Sequence, residues 1–121
     1  MARILLVDDD PGIRRTVGML LRRERHQVTE METVADAVGR MKRERYDLVI
    51  ADLRMEPLDG LDLLVLNRAR GSSAPVLIMT AYGTDETRSQ AKELGAADLV
   101  DKSLQAPAFL QRVRAIVPEP A

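Results

Sequence analysis

The chain has 121 residues, 45% of them hydrophobic and 31% charged, with 18 basic residues against 19 acidic ones and no cysteine. That length allows one buried core and excludes a catalytic domain joined to a separate regulatory one, and the composition is that of a globular protein, not a disordered segment. Near-balanced charge excludes a strong field for nucleic acid or an acidic membrane, and the missing cysteines exclude disulfides, thiolate zinc sites and cysteine nucleophiles.

Taken in chain order, Arg3 to Val7 reads as a strand that ends abruptly in Asp8-Asp9-Asp10. Pro11-Gly12 then turns the chain into a helix with Ile13, Val17, Leu20 and Leu21 on one stripe, and Asp10, just before Pro11, is placed as its cap. A second strand is expected at Gln27 to Glu30. Thr33 with Asp36 resembles a capping box, with Asp where Glu or Gln is usual, and opens a helix along Val34, Ala37, Val38 and Met41. Asp47 to Ala51 reads as a third strand. Asp59-Gly60 reads as a turn into a buried helix that stops near Gly71. Pro75 to Met79 reads as a fourth strand, followed by a helix from Thr84 with Asp85-Glu86 in its first turn and a stop near Gly95. After a last strand at Ala97 to Val100, a final helix from near Pro107 would bury Phe109, Leu110, Val113, Ile116 and Val117. Residues 1–117 then form the domain, and 118–121, polar and Pro-rich, read as a tail or the start of a linker. No apolar run approaches the roughly 18 residues needed to cross a bilayer, so no membrane contact and a cytoplasmic location are expected.

Strict alternation of strands and helices points to an α/β protein: a doubly wound three-layer sandwich around a five-stranded parallel sheet in the flavodoxin-like order 2-1-3-4-5. In such sheets chemistry gathers at the carboxyl ends of the strands. Those ends carry Asp8 and Asp9, Asp52, Thr80 and Lys102. With the first and third strands adjacent, Asp8, Asp9 and Asp52 converge on a small volume, where close carboxylates raise one another's pKa or recruit a hard divalent cation; Mg²⁺ suits such a set. The Thr80 hydroxyl and Lys102 ammonium suit phosphoryl oxygens, and a carboxylate can itself attack phosphorus.

"ILLVDDDPGIRRTV", "DLVIADLRMEPLDGLDLL", "VLIMTAYG" and "GAADLVDKS" together resemble, in order and spacing, the motifs of the response-regulator receiver domains of two-component signalling. The resemblance covers essentially the whole chain. It implies a phosphorylation-dependent switch in which Asp52 accepts a phosphoryl group from a histidine kinase or phosphotransfer protein. By the same resemblance Asp9, Asp52 and the Arg54 backbone carbonyl hold Mg²⁺, Asp8 assists through water, Thr80 closes onto the phosphate and Lys102 pairs with it. No direct nucleic-acid binding by this domain is expected, the output partner is left unnamed, and a phosphorylation-dependent dimer is allowed. Such a domain catalyses only its own phosphorylation and dephosphorylation and is not a turnover enzyme.

Several positions depart from the family pattern. Leu99 stands where an aromatic residue is usual, with Tyr82 as a substitute near the site, and Lys102 is followed by Ser103 in place of Pro. A non-proline cis bond costs about 3 kcal/mol, so either a trans bond with a reshaped loop or a strained cis bond is expected there. Arg54 and Tyr82 occupy positions that in the family influence how water reaches the phosphoryl group, and their bulk implies slow self-dephosphorylation. Two alternatives use the same residues. A pseudo-receiver would work unphosphorylated. A haloacid-dehalogenase-like phosphatase would use Asp8 and Asp10 with Thr80 and Lys102, opposed by Gly12, where that motif wants Thr or Val, and by the lack of an acidic pair after Lys102. His26 reads as a solvated connector residue, and Arg14, Arg15, Arg22, Arg23 and Arg25 as a solvated helix face.

Overall fold

A computed structural model describes residues 2–72 and 74–117. Five strands, β1 (Arg3–Val7), β2 (Gln27–Met31), β3 (Leu48–Asp52), β4 (Val76–Thr80) and β5 (Asp98–Asp101), alternate with five helices. The helices are α1 (Pro11–Arg23), α2 (Val34–Met41), α3 (Gly60–Ala69), α4 (Asp85–Glu93) and α5 (Ala106–Ile116). All strand pairs are parallel and the order is β2-β1-β3-β4-β5, as the alternation requires.

Because side chains alternate along a strand, each face of the sheet makes its own core. Leu5, Val7, Val49, Ala51, Ile78 and Leu99 pack against Val34 and Ala37 of α2, Leu63 and Leu64 of α3, and Ala91 of α4. Ile4, Leu6, Leu48, Ile50, Leu77, Met79 and Val100 pack against Leu21 of α1 and Phe109 and Val113 of α5. Leu110, Ile116 and Val117 are only partly buried against that second core, and Val117 caps α5 from outside it. Residues 118–121, expected as a tail, lie outside the described residues. Among the described residues no helix is long and apolar enough to cross a membrane.

Strand ends differ from expectation in one direction. β2 runs on to Met31, and β3, β4 and β5 each start and stop one residue later than expected. A polar side chain does not end backbone pairing: Asp52 pairs with Met79 and Thr80 with Asp101 inside the ladder. The site residues are therefore held by the sheet itself.

Helix signals largely hold. Asp10 caps α1, its Oδ1 accepting from the N–H groups of Gly12 at 2.8 Å and Ile13 at 3.3 Å, with Pro11 in the first turn. Asp10→Ala is expected to lower unfolding stability by about 1 kcal/mol, read by urea denaturation, through loss of those two bonds. Thr33 accepts from the Asp36 N–H, which is half of the expected box; the reciprocated box is between Asp59, the cap of α3, and Asp62, where a turn into a buried helix was expected without a box. Gly71 and Gly95 end their helices with φ of 69° and 94°.

Gly60 sets how closely α3 approaches the end of β3. A Cβ there would lie 2.7 Å from the Asp52 carbonyl oxygen and 3.1 Å from the Leu53 Cα, and both are backbone atoms that cannot swing aside. Gly60→Ala should cost about 2 kcal/mol in the same assay and shift the loop after Asp52.

Candidate functional site

Register alone assembles the site. Val7 pairs with Ala51, so Asp8 and Asp52 leave adjacent strand ends; Thr80 closes β4, and the Lys102 N–H donates to the Thr80 carbonyl at 2.8 Å. Oxygens of Asp8, Asp9 and Asp52 lie within 4.8 Å of one another. Asp8 is fully buried and Asp52 is 6% exposed, whereas Asp9 faces solvent. The Lys102 Nζ stands 3.0 Å from Asp52 Oδ2 and 3.2 Å from Asp8 Oδ2.

The electrostatics follow from this crowding. Burial pushes the Asp8 carboxyl above its usual pKa, the Asp52 charge adds to that, and the Asp10 N–H and Lys102 oppose it. Burial alone would lower Lys102, but the hydrogen bond to Asp52 and the charges of Asp8 and Asp52 outweigh it and hold the ammonium above its usual value. One ammonium does not balance three carboxylates. Asp8 Oδ1 accepts from the Asp10 N–H at 2.9 Å, while Oδ2 is buried with no hydrogen-bond partner beyond its ion pair with Lys102. A buried carboxylate that shares a single ammonium with its neighbour, beside a third carboxylate within 4.8 Å, is a donor set that fits a divalent cation such as Mg²⁺.

The other expected residues surround this cluster. The Thr80 side chain is fully buried and its Oγ1 accepts from the Tyr82 N–H at 3.1 Å. The Arg54 N–H donates to Asp52 Oδ1 at 3.3 Å, and the Arg54 guanidinium lies 5.7 Å from the centre of the exposed Tyr82 ring, a cation–π contact across the mouth of the site. Leu99 is buried beneath the loop that follows Thr80: a Cβ at Gly83 would meet both the Thr80 Cγ2 and the Leu99 Cδ2. An open depression at the mouth is lined by Asp9, Arg54, Met55, Glu56 and Asp59. Glu56 and Asp59 are acidic groups there that strand-end reasoning passed over, because both lie in the loop beyond Asp52.

Lys102–Ser103 is trans, the Glu56–Pro57 bond being the cis one among the described residues. The loop is rebuilt around Asp101, whose Oδ1 accepts from the Ser103 N–H at 2.8 Å and hydroxyl at 2.7 Å while the Leu104 N–H donates to its carbonyl. With Ser103 in this turn Lys102 reaches both carboxylates.

His26 lies in a connector, as expected, but is half-buried and not solvated: its Nδ1 accepts from the Ala2 N–H at 3.2 Å, and burial lowers its pKa. Arg14 corrects the solvated-face reading: its side chain is 13% exposed, and Nη1 donates to the Asp8 carbonyl at 2.5 Å. The signal was its spacing, since Arg14 shares a helical stripe with the buried Gly18 and Leu21.

Against known proteins, the response regulator receiver domain profile matches residues 4–114. Transcriptional regulatory protein GlrR of Escherichia coli (strain K12) is 35% identical over 112 residues, 93% of this chain and 25% of that protein. The chain spans about a quarter of the length of the first curated relatives it matches. Sporulation initiation phosphotransferase F of Bacillus subtilis (strain 168) is 34% identical over 94 residues, 78% of this chain and 76% of that one. The BeF3-activated N-terminal receiver domain of Klebsiella pneumoniae RstA superposes with a TM-score of 0.90 at 25% identity, covering 97% of this chain and 99% of that one.

Proposed function

The chain belongs to the response regulator receiver domain family of two-component systems, and from that premise we propose that it is a phosphorylation-dependent switch whose phosphoacceptor is Asp52. The observation that carries this reading is the Lys102 ammonium bridging the buried carboxylates of Asp8 and Asp52, with the Asp9 carboxylate within 4.8 Å of both.

An Asp52 oxygen attacks the phosphorus of a phosphohistidine on a sensor kinase or phosphotransfer protein. The P–N bond breaks, the imidazole leaves with its electron pair, and an aspartyl phosphate remains. Asp9, Asp52 and the Arg54 carbonyl would hold Mg²⁺, with Asp8 assisting through water, and the bound ion would neutralise phosphoryl charge. Lys102 contributes positive charge on the opposite side and stays protonated throughout, its pKa being raised. The Thr80 hydroxyl, which accepts from the Tyr82 N–H in this structure, turns to donate to a phosphoryl oxygen and draws its loop with it. Phosphorylation then favours one arrangement of that loop over the other, and the difference in binding free energy drives the shift.

Readout passes through the loop over Leu99 to the face of α4, β5 and α5, where an output partner or a second copy would dock. The Arg54–Tyr82 contact shields the aspartyl phosphate from water, so its lifetime is long; a half-life of seconds in the Mg²⁺-loaded protein would contradict that. The receiver comprises residues 1–117 and meets its donor in the cytoplasm.

The test is the intact mass after incubation with acetyl phosphate. One added phosphoryl group that requires Mg²⁺ and disappears with EDTA is expected. A folded protein that gains no mass with Mg²⁺ present would instead support the pseudo-receiver, an interaction module working unphosphorylated.

A further inference from the structure

We propose that Arg14 is a positioning residue for the cation site, acting on Asp9 through the Asp8–Asp9 peptide; this rests on the reading of Asp8, Asp9 and Asp52 as the Mg²⁺ site. Among the described residues no hydrogen bond holds the exposed Asp9 carboxylate, so its direction is set by its backbone. That backbone is fixed on both sides of Asp8. The Asp8 N–H donates to the Met31 carbonyl at 3.1 Å, which ties the end of β1 to β2. The Asp8 carbonyl, part of the peptide that leads into Asp9, accepts from Arg14 Nη1 at 2.5 Å.

Arg14 is itself held. Its Nε lies 3.9 Å from Glu30 Oε1 and its Nη2 3.6 Å from Glu32 Oε1, so two carboxylates, from the end of β2 and just beyond it, stand beside the guanidinium. Glu30 is anchored in turn by Arg22 at 3.0 Å, and the Arg22 Nη2 also donates to the Val28 carbonyl at 3.1 Å. Room for this layer comes from Gly18, where a Cβ would press on Arg22 Nη1 at 3.0 Å and Glu30 Oε2 at 3.3 Å.

A largely buried guanidinium is costly unless it is paired, and here it donates one hydrogen bond to a carbonyl and has two carboxylates at ion-pair distance. Glu30 and Glu32 keep the cation aimed at the carbonyl and offset its charge, which would otherwise repel a metal ion at the neighbouring carboxylates. The role matches that of groups that orient a metal's ligands without touching the metal, whose loss weakens binding about 10–100-fold.

The test is Mg²⁺ titration followed by backbone amide resonances, since the chain has no Trp to serve as a probe. Wild type is expected to bind Mg²⁺. Arg14→Gln should raise the Kd about tenfold and raise the Mg²⁺ needed for half-maximal phosphorylation by acetyl phosphate in proportion, with the rate at saturating Mg²⁺ within about twofold of wild type. Arg14→Lys, which keeps one donor and the charge, should recover part of the loss. If Arg14→Gln does not fold, the Glu30→Gln/Glu32→Gln double variant decides, because it frees the guanidinium to leave the carbonyl and should also raise the Kd severalfold. A folded Arg14→Gln or double variant that binds Mg²⁺ as wild type does would make Arg14 a tie between α1 and β2 and nothing more. Failure of the wild type to bind Mg²⁺ would instead overturn the cation site itself, and the role of Arg14 with it.

Discussion

Asp52→Asn is expected to lose phosphorylation by acetyl phosphate completely at any Mg²⁺ concentration, at least about a hundredfold below wild type, because an amide oxygen is a poor nucleophile for phosphorus. The substitution is nearly isosteric. The Arg54 N–H still finds an oxygen at that position, and the ion pair between Lys102 and Asp8 is untouched. Removing one of three crowded carboxylates also relieves repulsion, so metal-free stability should stay within about 1 kcal/mol of wild type. Loss of reaction with the fold intact is what distinguishes a phosphoacceptor from a structural acid. Asp9→Asn differs in kind: it raises the Mg²⁺ requirement and leaves residual reaction at high Mg²⁺. A haloacid-dehalogenase-like phosphatase would give the reverse pattern, with turnover surviving in Asp52→Asn and lost in Asp8→Asn.

Lys102→Met produces the largest expected stability change. It leaves the carboxylates of Asp8 and Asp52 buried side by side without the ammonium 3.2 and 3.0 Å away. Breaking a buried pair by removing one partner costs about 3–5 kcal/mol; with Lys102 partly solvated, about 2–3 kcal/mol is expected near pH 7 without metal. The sign of the pH dependence follows from Asp8. Its carboxyl is already above the ordinary 3.8 in the fold, and loss of Lys102 raises it further. A carboxyl whose folded pKa exceeds its unfolded one destabilises the fold above the folded value, and that deficit shrinks as pH falls through it. The variant should therefore recover relative to wild type on acidification and recover at neutral pH when Mg²⁺ supplies the missing charge. Urea unfolding at about pH 5 and about pH 8, each with and without Mg²⁺, reads both effects. A deficit insensitive to pH and to Mg²⁺ would mean that Lys102 acts through packing alone.

The parts legible in the sequence were those in which one residue type answers to one physical demand. Leu48-Val49-Ile50-Ala51 and Val76-Leu77-Ile78-Met79 could only be strands buried on both faces, and they are the centre of the sheet. Asp10 before Pro11-Gly12 announced a helix cap and is one. Boundaries slipped by a residue where an acid or hydroxyl sits inside the ladder, because a polar side chain reads as a loop although its backbone still pairs; Asp52 and Thr80 are the cases that matter. Strand-end position brought the acidic cluster, Thr80 and Lys102 together, but it was silent on the turn that holds Lys102. Asp101 and Ser103 look like solvated residues until the Asx-type bonds between them are seen. Arg14 was hidden by company: in a run of arginines with one charge and one propensity, only its stripe with Gly18 and Leu21 separates it from the solvated members.

The most direct test of the central claim is to trap the phosphorylated chain. Protein treated with acetyl phosphate and Mg²⁺ is reduced with borohydride, which converts an aspartyl phosphate to homoserine, and the modified position is read by peptide mass spectrometry. Homoserine at Asp52, absent when Mg²⁺ is withheld, is the expected result; homoserine at Asp8 or Asp10 in place of Asp52 would contradict the assignment of the phosphoacceptor.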